Sequence, residues 1–185
     1  MNTYKSFLCL FLICFANSCK EDVLPKPKAQ LRLEYPEAKY QNAATNCPYS
    51  FDINTISKIN KGNNCAIEID YPQMNGTVYL TYRPVKNDIN KLLKDAQKIT
   101  YEHVVKADNI LEEKYVNQQQ QVYGMFYDVS GNAASQSQFY VTDSLRHFIT
   151  GSIYFNAKPN YDSIYPAAVY LKNDIKRLME TIYWQ

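Results

Sequence analysis

Three spacings of apolar residues divide the chain. Phe7–Phe15 is an unbroken run of nine apolar residues, far short of the ~20 that a membrane-spanning helix needs. From Leu31 onward apolar and polar residues alternate, the period of half-buried strands. Leu31-Arg32-Leu33-Glu34-Tyr35 alternates first, and a loop-rich stretch through Cys47-Pro48 and Lys61-Gly62-Asn63-Asn64 follows. Ala66–Tyr71 then puts Ile67, Ile69 and Tyr71 on one face and Glu68 and Asp70 on the other. Val78–Arg83 alternates again, and Asn75-Gly76 between the two is a hairpin turn signal.

The third spacing is helical. Ile89, Leu92, Leu93, Ala96, Ile99, His103 and Ala107 recur every three or four residues. That stripe predicts a helix from a cap at Asn87 or Asp88 to about Leu111. The polar run Gln118–Gln121 reads as a loop. Three strands follow as a meander, Val122–Val129, Gln136–Thr142 and His147–Asn156, turning at Ser130-Gly131-Asn132 and Ser144-Leu145-Arg146. A last helix is expected from Ile164 to about Tyr183, capped by Asp162 or Ser163, with Pro166 in its first turn. Its buried face would be Ile164, Ala168, Leu171, Ile175, Leu178 and Ile182. Strands in runs, with helices between and after them, predict an α+β fold. The expected architecture is an antiparallel sheet, hairpin plus three-stranded meander, covered by two long helices. That layout resembles the PsbP/Mog1-like sandwich.

The short apolar run has a different use. Lys5 precedes it and Ala16-Asn17-Ser18-Cys19 follows it, the form of a secretory signal peptide over residues 1–18. A cysteine just after the cleavage point is the residue that bacteria alkylate with diacylglycerol, so Cys19 is the expected lipid attachment. Residues 19–30 then form the lipidated N-terminus and a tether. With Pro25 and Pro27 it could hold a domain roughly 30 Å off a membrane. Residues 31–185 form a single α+β domain. The expected location is the cell envelope, lipid-anchored at the inner or outer membrane, with the domain periplasmic or surface-exposed.

Composition adds limits. Apolar residues are 46% and charged residues 21%, enough to bury a real core. A net charge of +2 with no basic stripe argues against nucleic acid as a partner. Cys9 and Cys14 leave with the leader and Cys19 takes the lipid. Cys47 and Cys65 remain, and outside the cytoplasm an even pair reads as a disulfide. They are too far apart for a metal site, with no paired His or CxxC to support one. No residue pattern calls for a cofactor.

Catalytic signatures are missing: there is no GxSxG, HExxH, Walker loop or GxGxxG. His103 lies on the apolar stripe and reads as a packed histidine. Asp143, Ser144 and His147 suggest a Ser/His/Asp set, but residues so close on one turn rarely reach triad geometry. No catalytic residue is assigned. The meander carries the more promising feature. Tyr123, Phe126, Tyr127, Phe139, Tyr140, Phe148, Tyr154 and Phe155 alternate through it. Half must face the core, which leaves an aromatic outer face, and such a patch commonly marks an interface. Tyr123, Tyr127, Tyr140 and Tyr154 are the candidate interface residues.

Several segments together resemble the gliding-motility lipoprotein GldD family of Bacteroidota. They are Leu31-Arg32-Leu33-Glu34-Tyr35-Pro36, Cys47-Pro48-Tyr49, and Ile69-Asp70-Tyr71-Pro72 leading into Gly76–Tyr82. Tyr127–Ser135, Gln138–Phe148 and Pro159–Pro166 continue the likeness. The resemblance implies a non-enzymatic envelope component of the gliding and type IX secretion machinery. Its partners would be other envelope proteins and, through the N-terminal lipid, a membrane. The alternative is a surface lipoprotein that binds a solute or glycan. Lys20-Glu21-Asp22 resembles an acidic export signal found just after the lipidated cysteine in some Bacteroidota lipoproteins. Asp143-Ser144-Leu145 and Asp162-Ser163-Ile164 resemble O-glycosylation acceptors of the same bacteria, which makes Ser144 and Ser163 candidate sites. Ordinary turn and capping chemistry explains both Asp-Ser pairs equally well.

Overall fold

The alternating stretches join into one antiparallel sheet. The computed structural model describes residues 33–185 apart from residue 44, residues 103–105 and residues 158–159. The sheet has seven strands: β4 (Lys58–Lys61), β5 (Ile67–Tyr71), β6 (Gly76–Pro84), β7 (Ala107–Asn117), β8 (Val122–Gly131), β9 (Ser137–Thr142) and β10 (His147–Phe155). Their spatial order is β4-β5-β6-β10-β9-β8-β7. The hairpin and the meander therefore meet where β6 pairs with β10, from His147↔Pro84 to Phe155↔Gly76.

Among the described residues two α-helices complete the α+β fold: α1 (Ile89–Glu102) and α2 (Tyr161–Glu180). They take opposite faces of the sheet. Leu171, Ile175, Leu178 and Met179 of α2 join Val78, Leu80, Phe126, Phe139, Val141, Ile149 and Ile153 in the main core. Leu92 and Ala96 of α1 pack on Phe148 in a much smaller cluster, with Tyr140 and Val85 at its margin. Neighbouring residues along β10 thus divide between the layers, Phe148 under α1 and Ile149 under α2, as strand periodicity requires.

Five expectations need correction. The first helix stops at Glu102, and residues expected in its last turns enter β7 instead. β7 is an edge strand carrying Glu112, Glu113 and Lys114, and its Leu111 and Val116 are exposed, so no clean alternation marked it. The stretch assigned to loop contains four short strands, β1 (Tyr40–Asn42), β2 (Tyr49–Ser50), β3 (Asp52–Asn54) and β4. β1 pairs with β3, and β2 pairs with the C-terminal β11 (Tyr183–Trp184). Of the expected first strand, residues 33–35 have no regular structure, and its first two residues lie outside the described ones. Pro166 lies in the second turn of α2, because the helix begins at Tyr161 with Asn160 as its cap. The turn before β6 is also wider than two residues. A 3-10 turn over Pro72–Met74 precedes Asn75, whose left-handed backbone (φ 48°) suits its amide side chain.

Cys47 and Cys65 are disulfide-bonded, with their Cα atoms 5.6 Å apart. The bridge ties the short N-terminal strands to the start of β5, beside Tyr49, whose hydroxyl donates to the Cys65 carbonyl at 2.9 Å. Closing a loop of 18 residues constrains the unfolded chain by about 3 kcal/mol in the chain-entropy account. Replacing both cysteines by alanine should lower the urea-unfolding free energy by about that amount. A loss well under 1 kcal/mol would mean that the denatured chain gains little freedom when the bridge is absent.

Candidate functional site

On the outer face of the sheet, α1 roofs a row of aromatic side chains. Tyr79 of β6 and Tyr154 of β10 meet edge to face at 5.7 Å. Tyr140 of β9 stacks on Phe148 at 5.8 Å and lies 6.5 Å from Tyr127 of β8. Between this row and the helix runs a cleft of two adjoining parts, about 190 and 380 Å³, which share Thr81, Ala96, Ile99 and Thr150. Register puts Gln138 at its floor, opposite Tyr127 on one side and Ser152 on the other. Thr100 of α1 donates to Gln138 Oε1 at 3.2 Å. That holds the amide in place, while its Nε2 is buried with no protein partner. Burial raises the pKa of the Tyr127, Tyr140 and Tyr154 hydroxyls, so all three stay protonated and able to donate. The cleft therefore offers aromatic walls with hydroxyl and amide donors beside them.

The four candidate interface tyrosines do share this face, but they are not equally available. Tyr123, Tyr140 and Tyr154 are half-buried. Tyr127 is only 2% exposed, covered by α1, where it hydrogen-bonds Gln97. It supports the roof and does not meet solvent. The residues that present apolar surface at the rim are Tyr79, 42% exposed, and Ile99, 48% exposed. Neither stood out in the sequence: Tyr79 is at a polar-phase position of its strand, and Ile99 belongs to the apolar stripe of a helix that buries only part of that stripe.

Asp143, Ser144 and His147 are neighbours without forming a relay. Asp143 Oδ1 accepts the backbone N–H groups of Leu145, Arg146 and His147 at 2.8–2.9 Å, which builds the β9–β10 turn. His147 Nδ1 lies 3.0 Å from the Tyr82 hydroxyl, and its ring stacks on Trp184 at 5.1 Å. Ser144 is exposed, in a left-handed conformation (φ 66°) at the turn tip. Ser163 is also exposed, at the start of α2. His103 and Cys19 lie outside the described residues. Among the described residues no three His, Cys, Asp or Glu side chains converge on a metal-sized site.

His147 gives the fold a pH dependence of definite sign. Burial holds its pKa below the usual 6.5, more than the Asp143 carboxylate raises it. The unfolded chain therefore binds a proton that the folded one refuses, and stability drops as pH falls below about 6.5. Burial would raise the Asp143 pKa, but its backbone donors outweigh this and leave it lowered. Its contribution is lost only at more acidic pH. The urea-unfolding free energy should decrease from pH 7.5 to 5.5, by at most ~1.4 kcal/mol per pH unit for one proton. His147→Phe should flatten that slope, and a variant as pH-dependent as the parent would clear His147 of the effect.

A second polar cluster lies beneath α2. Asp174, 4% exposed, accepts from Tyr40 Oη at 2.7 Å and Asn54 Nδ2 at 2.9 Å, and also hydrogen-bonds Tyr71. Asn54 donates as well to the Tyr170 hydroxyl, which itself donates to the Pro36 carbonyl at 2.9 Å. Burial raises the Asp174 pKa against the opposing pull of its three donors. The cluster is closed on itself, and what it does is bind the N-terminal segment to the helix.

Residues 20–184 match the family model described as gliding motility lipoprotein GldD. No match to a curated protein sequence is found.

Proposed function

The chain belongs to the gliding motility lipoprotein GldD family, and from that membership we propose that it works in the cell envelope by holding protein partners. In this reading Cys19 carries the lipid, residues 20–30 space the domain from the membrane, and the gliding and type IX secretion machinery supplies the partners. The role is non-enzymatic. The observation that carries it is the cleft under α1, with Tyr79 and Ile99 exposed on its rim. Rigid aromatic rings lose little side-chain entropy on docking, and burying their bodies while satisfying their hydroxyls is how aromatic hot spots work.

The test is crosslinking of the lipidated protein in native membranes, followed by pull-down. Ile99→Asp and Tyr79→Ala change the rim without opening the core, so stability should move by no more than about 0.5 kcal/mol. Each should reduce crosslinked envelope partners about tenfold or more, and Cys19→Ser should release the protein from the membrane fraction. Tyr127→Ala is a poor probe, because loss of a buried ring would loosen α1 and confound the result. Unchanged crosslinking in both rim variants, with gliding intact, would remove the cleft from the machinery.

A further inference from the structure

A separate cavity lies on the opposite face of the sheet. We propose that it is a binding site for a neutral carbohydrate ring of about one hexose. It opens between the first half of α2 and the β7–β8–β9 edge and measures about 240 Å³. That is below the ~300 Å³ at which pockets for drug-sized ligands begin.

Its lining fits a polyol better than an apolar or charged ligand. Asp128 and Ser137 are a cross-strand pair on β8 and β9, and Lys172 of α2 reaches Asp128 with Nζ–Oδ2 at 2.9 Å. Both partners are partly exposed, and their charges cancel, so the site has no preference for an anion. Side by side, an ammonium and a carboxylate supply what two adjacent hydroxyls need, a donor for one oxygen and an acceptor for the next proton. Ser137 is fully buried, and its Oγ has no protein partner. That hydroxyl is sealed from the cavity, so the contacts open to a ligand are the Asp128–Lys172 pair and the α2 tyrosines.

The apolar side comes from α2. Tyr161 and Tyr165, one turn apart, pack edge to face at 5.4 Å, and Tyr165 is 39% exposed at the mouth. Sugars present a C–H face as well as hydroxyls, and an aromatic ring beside a polar floor matches that two-sided surface. The competing occupant is ordered water, of which such a volume could hold about eight molecules at ~30 Å³ each.

The experiment uses the full-length protein in a sugar-free detergent such as lauryldimethylamine oxide. Glucose, galactose, mannose and N-acetylglucosamine are offered one at a time at about 10 mM, since a single ring on so few groups binds in the millimolar range. Saturation-transfer NMR reads contact between protein and sugar C–H protons. At least one sugar should receive saturation, and Tyr165→Ala and Lys172→Met should each weaken its binding about tenfold. Ser137→Ala removes a hydroxyl sealed from the cavity and should bind sugar like the parent. Ile99→Asp, across the sheet in the α1 cleft, should bind sugar like the parent, so this site and the partner cleft fail or stand separately. No transfer to any of the four sugars overturns the proposal, as does transfer that survives both Tyr165→Ala and Lys172→Met.

Discussion

Replacing Asp174 with alanine should lower the unfolding free energy by about 3 kcal/mol or more. Three donors, from Tyr40, Asn54 and Tyr71, lose their acceptor together, and each buried orphan costs about 1–3 kcal/mol. Tyr40 can turn toward water, whereas the Asn54 and Tyr71 groups are enclosed. Urea unfolding measures the total. A loss under about 1 kcal/mol would mean that water replaces the carboxylate at little cost. The pH dependence provides a second check. Because burial raises the Asp174 pKa, the native state holds its proton more tightly than the unfolded chain. This residue therefore adds stability as pH falls through its folded pKa toward the ordinary carboxylate value near 3.8. The alanine variant should lack that acid-side gain. Limited proteolysis should also cut it faster around Tyr35–Asn42, the segment that the cluster secures.

Gly124→Ala should cost a similar amount by a different route. Gly124 of β8 stands opposite Val141 of β9. A Cβ there would overlap the Tyr140 carbonyl oxygen and come within 2.8 Å of Val141 Cγ1. The obstacle is main chain in the centre of a sheet, which cannot swing aside as a side chain can. The strands must separate locally, at the upper end of the ~1–3 kcal/mol usual for overpacking. For a chain of this size that corresponds to a melting temperature lower by roughly 10 °C. A variant that melts like the parent would show that β8 and β9 can part without loss.

These two sites show what could be read from the sequence and what could not. The hairpin, the meander and both helices were legible because each buries one face and so leaves a period. Val78, Leu80 and Tyr82 are two apart, and Leu171, Ile175 and Leu178 three or four apart. β7 left no such period: at the sheet edge Leu111 and Val116 point into solvent on opposite faces, and Ile110 and Leu111 continue the preceding stripe by accident of spacing. The Asp174 cluster was illegible for another reason. Its partners stand 134 and 120 residues away, and a single aspartate in a helix looks the same whether it faces water or a buried asparagine. The cleft was half legible. Alternation assigned the outer tyrosines to one face, but only tertiary packing decides that α1 covers Tyr127 and leaves Tyr79 at the rim.

The disulfide also fixes how the domain would bear a load. A pull from the N-terminal side first meets the Tyr170–Pro36 bond and the Tyr40–Asp174 bond, then the three-residue β1–β3 pair. These can peel one contact at a time. At Cys47 the tension leaves the backbone, crosses the sulfur bridge to Cys65, and enters β5 two residues later in the body of the sheet. The 17 residues between the cysteines stay slack, so about 60 Å of chain at ~3.4 Å per residue is withheld from extension. A reduced domain would pay out that length before the sheet felt the force, and an oxidised one is a shorter, stiffer link.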